Sequence, residues 1–434
     1  MSTEALVGYA KYDRYKDSGV DWLGEIPADW EQKRLKYVIS ERNERSKTGE
    51  EPLLMVSQKH GLVVRADYHD KATVAFSNID NKIVYKNDLV FNKLKAHLGV
   101  FYKSEINLKG IVSPDYAVYK RKAHIENLKF LEMLFSLPIY IQQFIIRATG
   151  VAEGLIRLYT SELFDLPVPI PPVNVQKDIL KFIDDKSIQI DQAINLKQQQ
   201  IEKLNEYKQI VIQNAVTKGL DANVEMKDSG IDWMGDIPEH WDVIPLKYLL
   251  KFHTGGTPES GNYEYYNGDL PWVTISNLKG RLTEETNNIS LKGVRKANIP
   301  LTPKGSLLFS FKLSVGQVAF AHEDLYTNEA IATFVPDLKI DLDYYYYSLP
   351  LFVIHNANTN IYGAKLLNQE LIKNAKILSV PKDEQKLIAN HLNKKVSEID
   401  VLISHYKTQI EQLKEYKTIL INQAVTGKIK VSEE

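Results

Sequence analysis

The sequence predicts an α+β protein in which two similar mixed α/β domains are separated by two long helices that pair as an antiparallel coiled coil. The chain has 434 residues, which exceeds the usual range of one domain. Its two halves share long matching strings, and each half ends in a long segment without Gly or Pro. These observations together indicate an internal pseudo-twofold duplication.

The duplication is visible in strings at both boundaries of each half. Residues 16–37, which contain Trp22 and Trp30, return as residues 227–248, which contain Trp233 and Trp241. Residues 201–217 return as residues 410–426. Between these strings the halves keep a common skeleton but differ in the polar residues around it. We interpret this as two similar domains that contact two different ligands, and neutral drift after duplication is the alternative.

The two long helices are predicted from their boundaries and their heptads. No Gly or Pro occurs from Val173 to Lys218 or from Lys382 to Thr426. Each segment follows a proline and ends at a glycine, as helices do. Apolar residues repeat at heptad positions over about five heptads, which predicts a coiled coil. The predicted seam residues are Ile183, Ile190, Ile194, Ile201, Leu204 and Val211 in the first helix, and Leu392, Ile399, Ile403, Ile410, Leu413 and Leu420 in the second.

How the helices pair is less determined by sequence. The long domain between them permits an antiparallel pair within one chain, and pairing between two chains stays an alternative. Lys197, Lys208 and Lys417 interrupt the seam and weaken it. Tyr207 and Tyr416 stand beside seam positions, where they would face a partner protein or simply cover the helix pair.

These boundaries divide the chain into seven parts. They are an N-terminal segment (1–30), a first domain (31–172), a first long helix (173–218), a connector repeat (219–241), a second domain (242–381), a second long helix (382–427) and a C-terminal tail (428–434).

Composition limits the class of protein. The chain contains no cysteine, which excludes disulfides and thiol catalysis, and its formal net charge is -1. Residues 31–170 hold 21 Lys and Arg against 16 Asp and Glu, whereas residues 242–381 hold 13 of each. DNA binding would therefore depend on local basic patches or on a basic partner. No apolar run is long enough to span a membrane, so we expect a soluble, cytoplasmic protein.

Polar loops in both domains suggest contact with DNA. Arg and Lys bond guanine edges in the major groove, and Asn and Gln bond adenine edges. Small residues at Thr254–Pro258 would let a phosphate approach backbone amides. The candidates are Gln58, Lys59, Arg65, Asn92, Lys93, Lys95 and Arg157 in the first half, and Thr254, Gly255, Gly256, Thr257, Tyr263, Asn277, Lys279, Arg281, Lys312, Asn360, Tyr362 and Lys365 in the second. For any single residue, a solvated surface position is the alternative.

Tyr344–Tyr347 could form a platform on which bases stack, but a half-buried helix is the preferred prediction. No motif of a methyltransferase, nucleotide-binding loop or nuclease is present, and no histidines have metal-ligand spacing. We therefore expect neither a catalytic residue nor a metal site in this chain.

The duplicated order of domain and helix resembles the specificity subunits of Type I restriction–modification systems. So do several strings, among them Asp21-Trp22 to Trp30, Thr254–Pro258 with Pro271–Thr274, and the helix starts Gln176-Lys177 and Gln385-Lys386. The resemblance covers nearly the whole chain, and the duplicated order makes it specific.

The resemblance implies a non-catalytic DNA-binding subunit. In that family each target-recognition domain reads one half of an asymmetric bipartite target on double-stranded DNA, and the paired helices act as a ruler. Two modification subunits use S-adenosylmethionine to methylate adenine at N6. Two restriction subunits use ATP and Mg²⁺ for translocation and cleavage, so this chain itself would bind no cofactor. The alternatives are a coiled-coil scaffold with two protein- or carbohydrate-binding domains, and an enzyme with an unfamiliar site.

Overall fold

The structure is a computed structural model that describes residues 9–58, 60–68, 77–152, 155–283, 286–359, 363 and 365–431. These residues fall into two units. The first combines Met1–Lys197 with Lys407–Glu434, and the second is Gln198–Tyr406. Each unit therefore contains one mixed α/β domain together with part of each long helix.

The first unit is a mixture of short strands and short helices. Its elements are β1 (Tyr15–Asp17), β2 (Glu25–Pro27), β3 (Glu31–Arg34), β4 (Ile39–Glu41), β5 (Leu54–Ser57), β6 (Gly61–Val64), β7 (Lys82–Val84), β8 (Leu89–Asn92), β9 (Phe101–Lys103), β10 (Gly110–Val112), β11 (Tyr116–Arg121), α1 (Lys129–Phe135), α2 (Pro138–Arg147), β12 (Thr149–Ala152), β13 (Leu155–Arg157), α3 (Thr160–Phe164) and β14 (Pro167–Ile170). The central sheet is antiparallel with strand order β4-β11-β8-β9. Two-stranded pairs β1-β2, β3-β14, β5-β6, β7-β10 and β12-β13 surround it.

Alternation along the central strands places apolar residues on both faces of this sheet. Leu89 and Phe91 of β8 lie in the main core with Trp30 and helices α1 and α2. Val90, between them, lies in a second cluster with Leu54 of β5. Successive side chains of a strand point to opposite faces, so a run of apolar residues is what a sheet covered on both sides requires.

The long helix α4 (Val173–Lys218) follows Pro172 and ends just before Gly219. The second unit then repeats the plan of the first. Its elements are β15 (Met226–Asp228), β16 (Asp236–Pro238), β17 (Asp242–Pro245), β18 (Phe252–Thr254), β19 (Leu270–Val273), β20 (Asn287–Ile289), α5 (Leu291–Lys296), β21 (Leu307–Ser310), β22 (Val318–Phe320), β23 (Tyr326–Thr327), β24 (Ile331–Phe334), α6 (Leu342–His355), β25 (Asn358–Thr359), β26 (Lys365–Leu366), α7 (Gln369–Lys373), β27 (Lys376–Ser379) and the long helix α8 (Lys382–Val425).

The central sheet of the second unit has strand order β18-β24-β21-β22, and its strands pair as their counterparts do in the first unit. Leu307 and Phe309 of β21 lie in the main core with Trp241, whereas Leu308 lies in a separate cluster. The three-stranded sheet β20-β19-β23 corresponds to the hairpin β5-β6 of the first unit, where Leu53 forms a parallel bridge to Ile111 of β10. The predicted fold class, with its duplicated mixed domains, is confirmed.

The helices α4 and α8 run antiparallel in both units. In the first unit, the Lys417 ammonium lies 2.8 Å from the Asp191 carboxylate, and Lys197 Nζ donates to Gln409 Oε1 at 2.6 Å. In the second unit, Lys208 Nζ donates to Asp400 Oδ1 at 2.7 Å. The lysines that interrupt the seam therefore bond polar residues on the facing helix.

Apolar seam residues complete the cores. Ile183, Ile190 and Leu420 are buried in the main core of the first unit, where Ile194 and Leu413 pack against it. Leu392 is buried in the main core of the second unit, against which Val211 packs. Of the remaining seam residues, Ile399, Ile403 and Ile410 are buried, and Ile201 and Leu204 are half-buried.

The C-terminal residues of the first unit also contact its N-terminal residues. The Lys430 amide donates to the Ala10 carbonyl at 2.7 Å, and Lys428 Nζ donates to the Glu25 carbonyl at 2.7 Å. The hydroxyls of Tyr9 and Tyr416 lie 3.4 Å apart. The chain segment after α8 is therefore part of the fold of the first unit.

The tyrosine run lies in helix α6, as predicted. Tyr344, Tyr345 and Tyr347 are buried and Tyr346 is half-buried, so the run is mainly core. Within the described residues no single helix qualifies as a bilayer span, although the bent pair α1 and α2 together meets the same test of length and composition.

Candidate nucleic-acid interface

The antiparallel sheet of the second unit gathers several predicted residues at one end. Its strands run so that the last residues of β18 and β21 and the first residues of β22 and β24 lie at the same end. We call this the loop end of the second unit. The segments that extend from it are residues 255–258, 311–317 and 328–330.

A short hairpin joins this group. Gln369, at the start of α7, donates from its side-chain amide to Thr254 Oγ1 at 3.1 Å, and α7 directly follows β26. The hairpin β25-β26 carries Lys365, which is exposed and donates to Thr359 Oγ1 at 3.2 Å. Lys312 is also exposed, in the loop after β21. The loop end of the second unit thus presents two cations and several hydroxyl groups.

The glycine loop at this end is fixed by backbone contacts. The Gly256 amide donates to the Thr327 carbonyl at 2.9 Å, and a Cβ at Gly255 would overlap that same carbonyl oxygen. Thr257 donates from its hydroxyl to the Glu329 carboxylate. Because the Gly256 amide is already bonded, a ligand would meet the rest of this loop rather than that group.

The first unit has a loop end built in the same way. The last residues of β4 and β8 and the first residues of β9 and β11 lie together. The segment after β8 carries Lys93 and Lys95, and the Leu158 amide donates to the Lys93 carbonyl at 3.0 Å. That bond places the hairpin β12-β13, with Arg157, beside the segment. The structure thus brings Asn92, Lys93, Lys95 and Arg157 together.

The Glu41 carboxylate neutralises part of this basic group. The Glu41 carboxylate lies 2.9 Å from Lys82 Nζ and 3.4 Å from Lys93 Nζ. Burial lowers the pKa of Lys93, and the nearby positive charge of Lys82 lowers it further. Burial alone would raise the pKa of Glu41, but the hydrogen bond and charge of Lys82 hold it below its ordinary value. Both lysines are therefore partly committed to a structural ion pair.

Arg157 is held in a similar way. Its guanidinium pairs with the Asp115 carboxylate and lies 5.9 Å from the centre of the Tyr159 ring. The Arg157 side chain is 27% exposed and that of Asp115 is 49% exposed, so water reaches the pair. Asn92 accepts a hydrogen bond from the Leu94 amide at 3.0 Å, which leaves its amide nitrogen to donate elsewhere.

Other predicted residues lie away from the loop ends or are used within the fold. The Arg281 guanidinium pairs with Asp343 at the start of α6 and lies 4.5 Å from the centre of the Tyr346 ring. The Arg281 carbonyl accepts from the Phe320 amide, and Phe320 is at the opposite end of the sheet. Arg281 is therefore fixed against α6 rather than gathered at the loop end.

Asn277 forms a capping box with Thr274, in which its side-chain oxygen accepts from the Thr274 amide at 2.8 Å. That oxygen is thus committed to a turn. Lys279 is exposed two residues later, and Tyr263 is 86% exposed in a separate 3-10 turn.

The hairpin β5-β6 separates two further candidates of the first unit. Gln58 is exposed at its tip, and its carbonyl accepts from the Tyr102 hydroxyl at 3.3 Å. Arg65 follows the last residue of β6, at the other end of the hairpin. The predicted residues Lys59, Asn360 and Tyr362 lie outside the described residues. The two tyrosines predicted to face a partner also differ: Tyr207 is 53% exposed, whereas Tyr416 is half-buried beside Tyr9.

The structure adds residues to the loop ends that the sequence did not single out. Asp115 lies just before β11 and Glu329 shortly before β24, which are matching inner strands of the two central sheets. Each of these carboxylates bonds a predicted residue. Leu313, next to Lys312, is 93% exposed. An alignment of the two halves would have indicated these positions. It would match Asp88–Phe91 with Ser306–Phe309 and continue through the residues that follow both strands. Among the described residues, no group of three or more His, Asp or Glu side chains could hold a metal ion.

Comparison with known proteins gives a consistent family. Residues 238–412 match the model of the Type I restriction modification DNA specificity domain. The chain is 27% identical to a protein of Methanocaldococcus jannaschii named as the type I restriction enzyme MjaX specificity subunit, over 98% of this chain and 99% of that protein. It is 24% identical to the MjaVIII specificity subunit of the same organism, over 94% of each chain.

Solved structures share the fold. A chain from a study of complex assembly and conformational transition in the type I R-M system superimposes with a TM-score of 0.69 at 14% identity, over 92% of this chain and 98% of that one. The HsdS subunit from Thermoanaerobacter tengcongensis gives a TM-score of 0.56 at 15% identity, over 93% and 98%. At these identities the likeness concerns the fold.

The close approach at Gly255 predicts a large effect of a single methyl group. Gly255→Ala would place a Cβ against the Thr327 carbonyl oxygen, so we expect the free energy of unfolding to fall by about 1–3 kcal/mol. Urea unfolding followed by tryptophan fluorescence measures this loss. Gly261→Ala, in the same unit and with nothing within 4 Å of its Cβ, is the matched control. Equal midpoints for both variants would contradict the geometry.

Proposed function

We propose that the chain is a specificity subunit of a Type I restriction–modification system and that each of its units reads one half of an asymmetric bipartite target on double-stranded DNA. The observation that supports this most is the pair of matching loop ends. Each unit has a hairpin with a basic residue, the half-buried Arg157 in one and the exposed Lys365 in the other, beside the loop that follows the matching central strand.

Different side chains on the same frame support two different half-sites. The loop end of the first unit carries Asn92, Lys93 and Lys95, whereas that of the second carries hydroxyl groups and Lys312. Amide and basic side chains form distinct patterns of hydrogen bonds with base edges in the major groove. A scaffold for proteins or carbohydrates does not require a basic hairpin in both units. Such a scaffold would also show no sequence-dependent retention of DNA in a gel shift.

The helix pair α4 and α8 acts as the ruler in this proposal. The helices have 46 and 44 residues. At 1.5 Å per residue, each of them is therefore roughly 65–70 Å long. Half-sites on one face of DNA recur about every 34 Å. A helix pair that is bonded across its seam can hold such a spacing, whereas a flexible linker cannot.

Chemistry belongs to partners in this proposal. Two modification subunits with S-adenosylmethionine methylate adenine at N6, and two restriction subunits with ATP and Mg²⁺ translocate and cleave DNA in the cytoplasm. The exposed Tyr207 ring on α4 offers part of the surface to which a modification subunit binds. A formal net charge of -1 suits a subunit whose partners help to neutralise the DNA backbone.

Domain exchange tests the modular reading of the target. We expect deletion of the gene to remove one bipartite N6-methyladenine motif from the genome of the source cell, because no other subunit directs methylation to it. Replacing residues 31–170 by those of a relative should then change one half of the motif only. Methylation mapping by single-molecule sequencing measures both results. A change in both halves would contradict the assignment of one half-site to each unit.

Shortening the helix pair tests the ruler. The test variant lacks residues 202–208 of α4 and residues 400–406 of α8, which is one heptad from each helix. These segments face each other, because Lys208 bonds Asp400. The pair shortens by about 10 Å, so we expect the spacer of the methylated motif to change by about three base pairs.

The control for this deletion is the double variant Lys208→Ala with Asp400→Ala. It removes the same ion pair without changing the helix length, so its spacer should equal that of the wild type. A deletion variant that methylates the original motif would show that the helices do not set the spacing.

The basic hairpins should contribute directly to DNA affinity. Arg157→Ala and Lys365→Ala should each weaken binding of the specific duplex by about 1–3 kcal/mol if the residue contacts a base. Arg121 and Lys339 are exposed basic residues at the opposite ends of the same two sheets, and their alanine variants are the controls. Fluorescence anisotropy of the complex with modification subunits measures the difference. If these variants lose no more affinity than the control variants, Arg157 and Lys365 are solvated surface residues that do not contact a base.

A further inference from the structure

Among the residues that the structure describes at the two loop ends, Leu313 is the most exposed apolar side chain. It lies in the loop that joins β21 to β22, and 93% of its surface is exposed. Its neighbours Lys312 and Ser314 are exposed as well, whereas Phe311 is buried. In the isolated protein such a position adds nothing to the free energy of unfolding, because a large apolar side chain stabilises a fold when it is buried.

The backbone at Leu313 is also unusual. Its φ is +58°, in the left-handed region, where the approach of Cβ to the following carbonyl oxygen costs roughly 1–2 kcal/mol. The other described residues with positive φ, glycine apart, are Asp80, Asn87, His124 and Asn298. Those residue types occur in this region several times more often than others do. Within the described residues, Leu313 is thus the apolar exception.

The loop holds this conformation through several hydrogen bonds. The Ser310 hydroxyl donates to the Ser314 carbonyl and accepts from the Gln317 amide at 2.9 Å. The Gly316 amide donates to the Ser310 carbonyl at 2.9 Å, and the Phe311 amide donates to the Ala330 carbonyl at 3.0 Å. Leu313 is therefore presented on a pre-formed loop, and a ligand that contacts it has little loop ordering to impose.

The same position in the first unit carries a charge. Leu313 stands three residues after the end of β21, and Lys95 stands three residues after the end of the matching strand β8. Lys95 is exposed. The common frame therefore offers an ammonium group at one loop end and an apolar group at the other, as expected if the two positions contact different base edges.

We propose that Leu313 determines specificity by contacting the 5-methyl group of a thymine in the major groove of the second half-site. This rests on the proposed function. β21 pairs with both β22 and β24 inside the central sheet, so Leu313 would reach base edges in the major groove from the loop that joins β21 to β22. Among the base edges in that groove, the thymine methyl is the apolar one, and it matches an aliphatic side chain.

The test uses the complex of this chain with its modification subunits. Selection from a random duplex library first gives the preferred motif. Each thymine of the second half-site is then replaced in turn by uracil, which removes only the 5-methyl group. For the wild type we expect one position at which uracil weakens binding about fourfold, the effect of one buried methyl group.

The variants complete a double-mutant cycle. Leu313→Ala should bind the thymine duplex about fourfold more weakly and lose nothing further with uracil at that position. Leu313→Asn removes the apolar contact with a residue that tolerates positive φ, and should give the same result even if alanine disturbs the loop. Leu338→Ala is the matched control, because Leu338 is 91% exposed beyond the opposite end of the same sheet.

The outcomes separate this inference from the proposed function. Failure of the wild-type complex to select any motif would overturn the proposed function itself. If a motif is selected, the inference alone is overturned by any of three results. These are a second half-site without thymine, Leu313 variants that bind like Leu338→Ala, and a loss of affinity in the variants that does not depend on uracil at any position.

Discussion

Antiparallel pairing of the two long helices is the constraint on which both units depend. The main core of the first unit contains Ile179 and Ile183 from the start of α4 and Leu420 and Ala424 from the end of α8. The core of the second contains Ala215 and Val216 of α4 and Leu392 of α8. Each sheet therefore packs against two helix segments that lie far apart in sequence, and the apolar area they bury stabilises sheet and helix pair together.

The two units share their central strands but differ in the loops at one end of the sheet. The alternating apolar residues of the central strands, such as Leu307, Leu308 and Phe309, are needed on both faces of the sheet and match their counterparts in the first unit. The loops at one end do not take part in that packing. They are instead held by short-range hydrogen bonds, as at Ser310, so their exposed side chains can differ without disturbing the core.

Much of the fold could be predicted from the sequence because its signals are local and repeated. Pro172 and Gly219 bracket the first long helix, and the heptads place Ile183 and Leu392 in buried positions. The candidate interface was harder to predict. Side-chain type alone marks Arg281 as strongly as Arg157, but pairing with Asp343 on α6 fixes Arg281 away from the loop end. Leu313 was missed because a search for polar base contacts passes over an apolar residue, and its exposure is a property of the folded loop.

The discontinuous make-up of the first unit has a consequence for synthesis on the ribosome. Domains generally fold in the order in which they emerge, N-terminal first. Here the second unit occupies one continuous stretch, whereas the first includes residues 407–431, among them Lys430, whose amide donates to the Ala10 carbonyl. The part of the chain that is translated first is therefore the last to acquire its full core. Until residues 407–431 have been made, the apolar side chains of the first unit that surround Leu420 and Ala424 lack these packing partners.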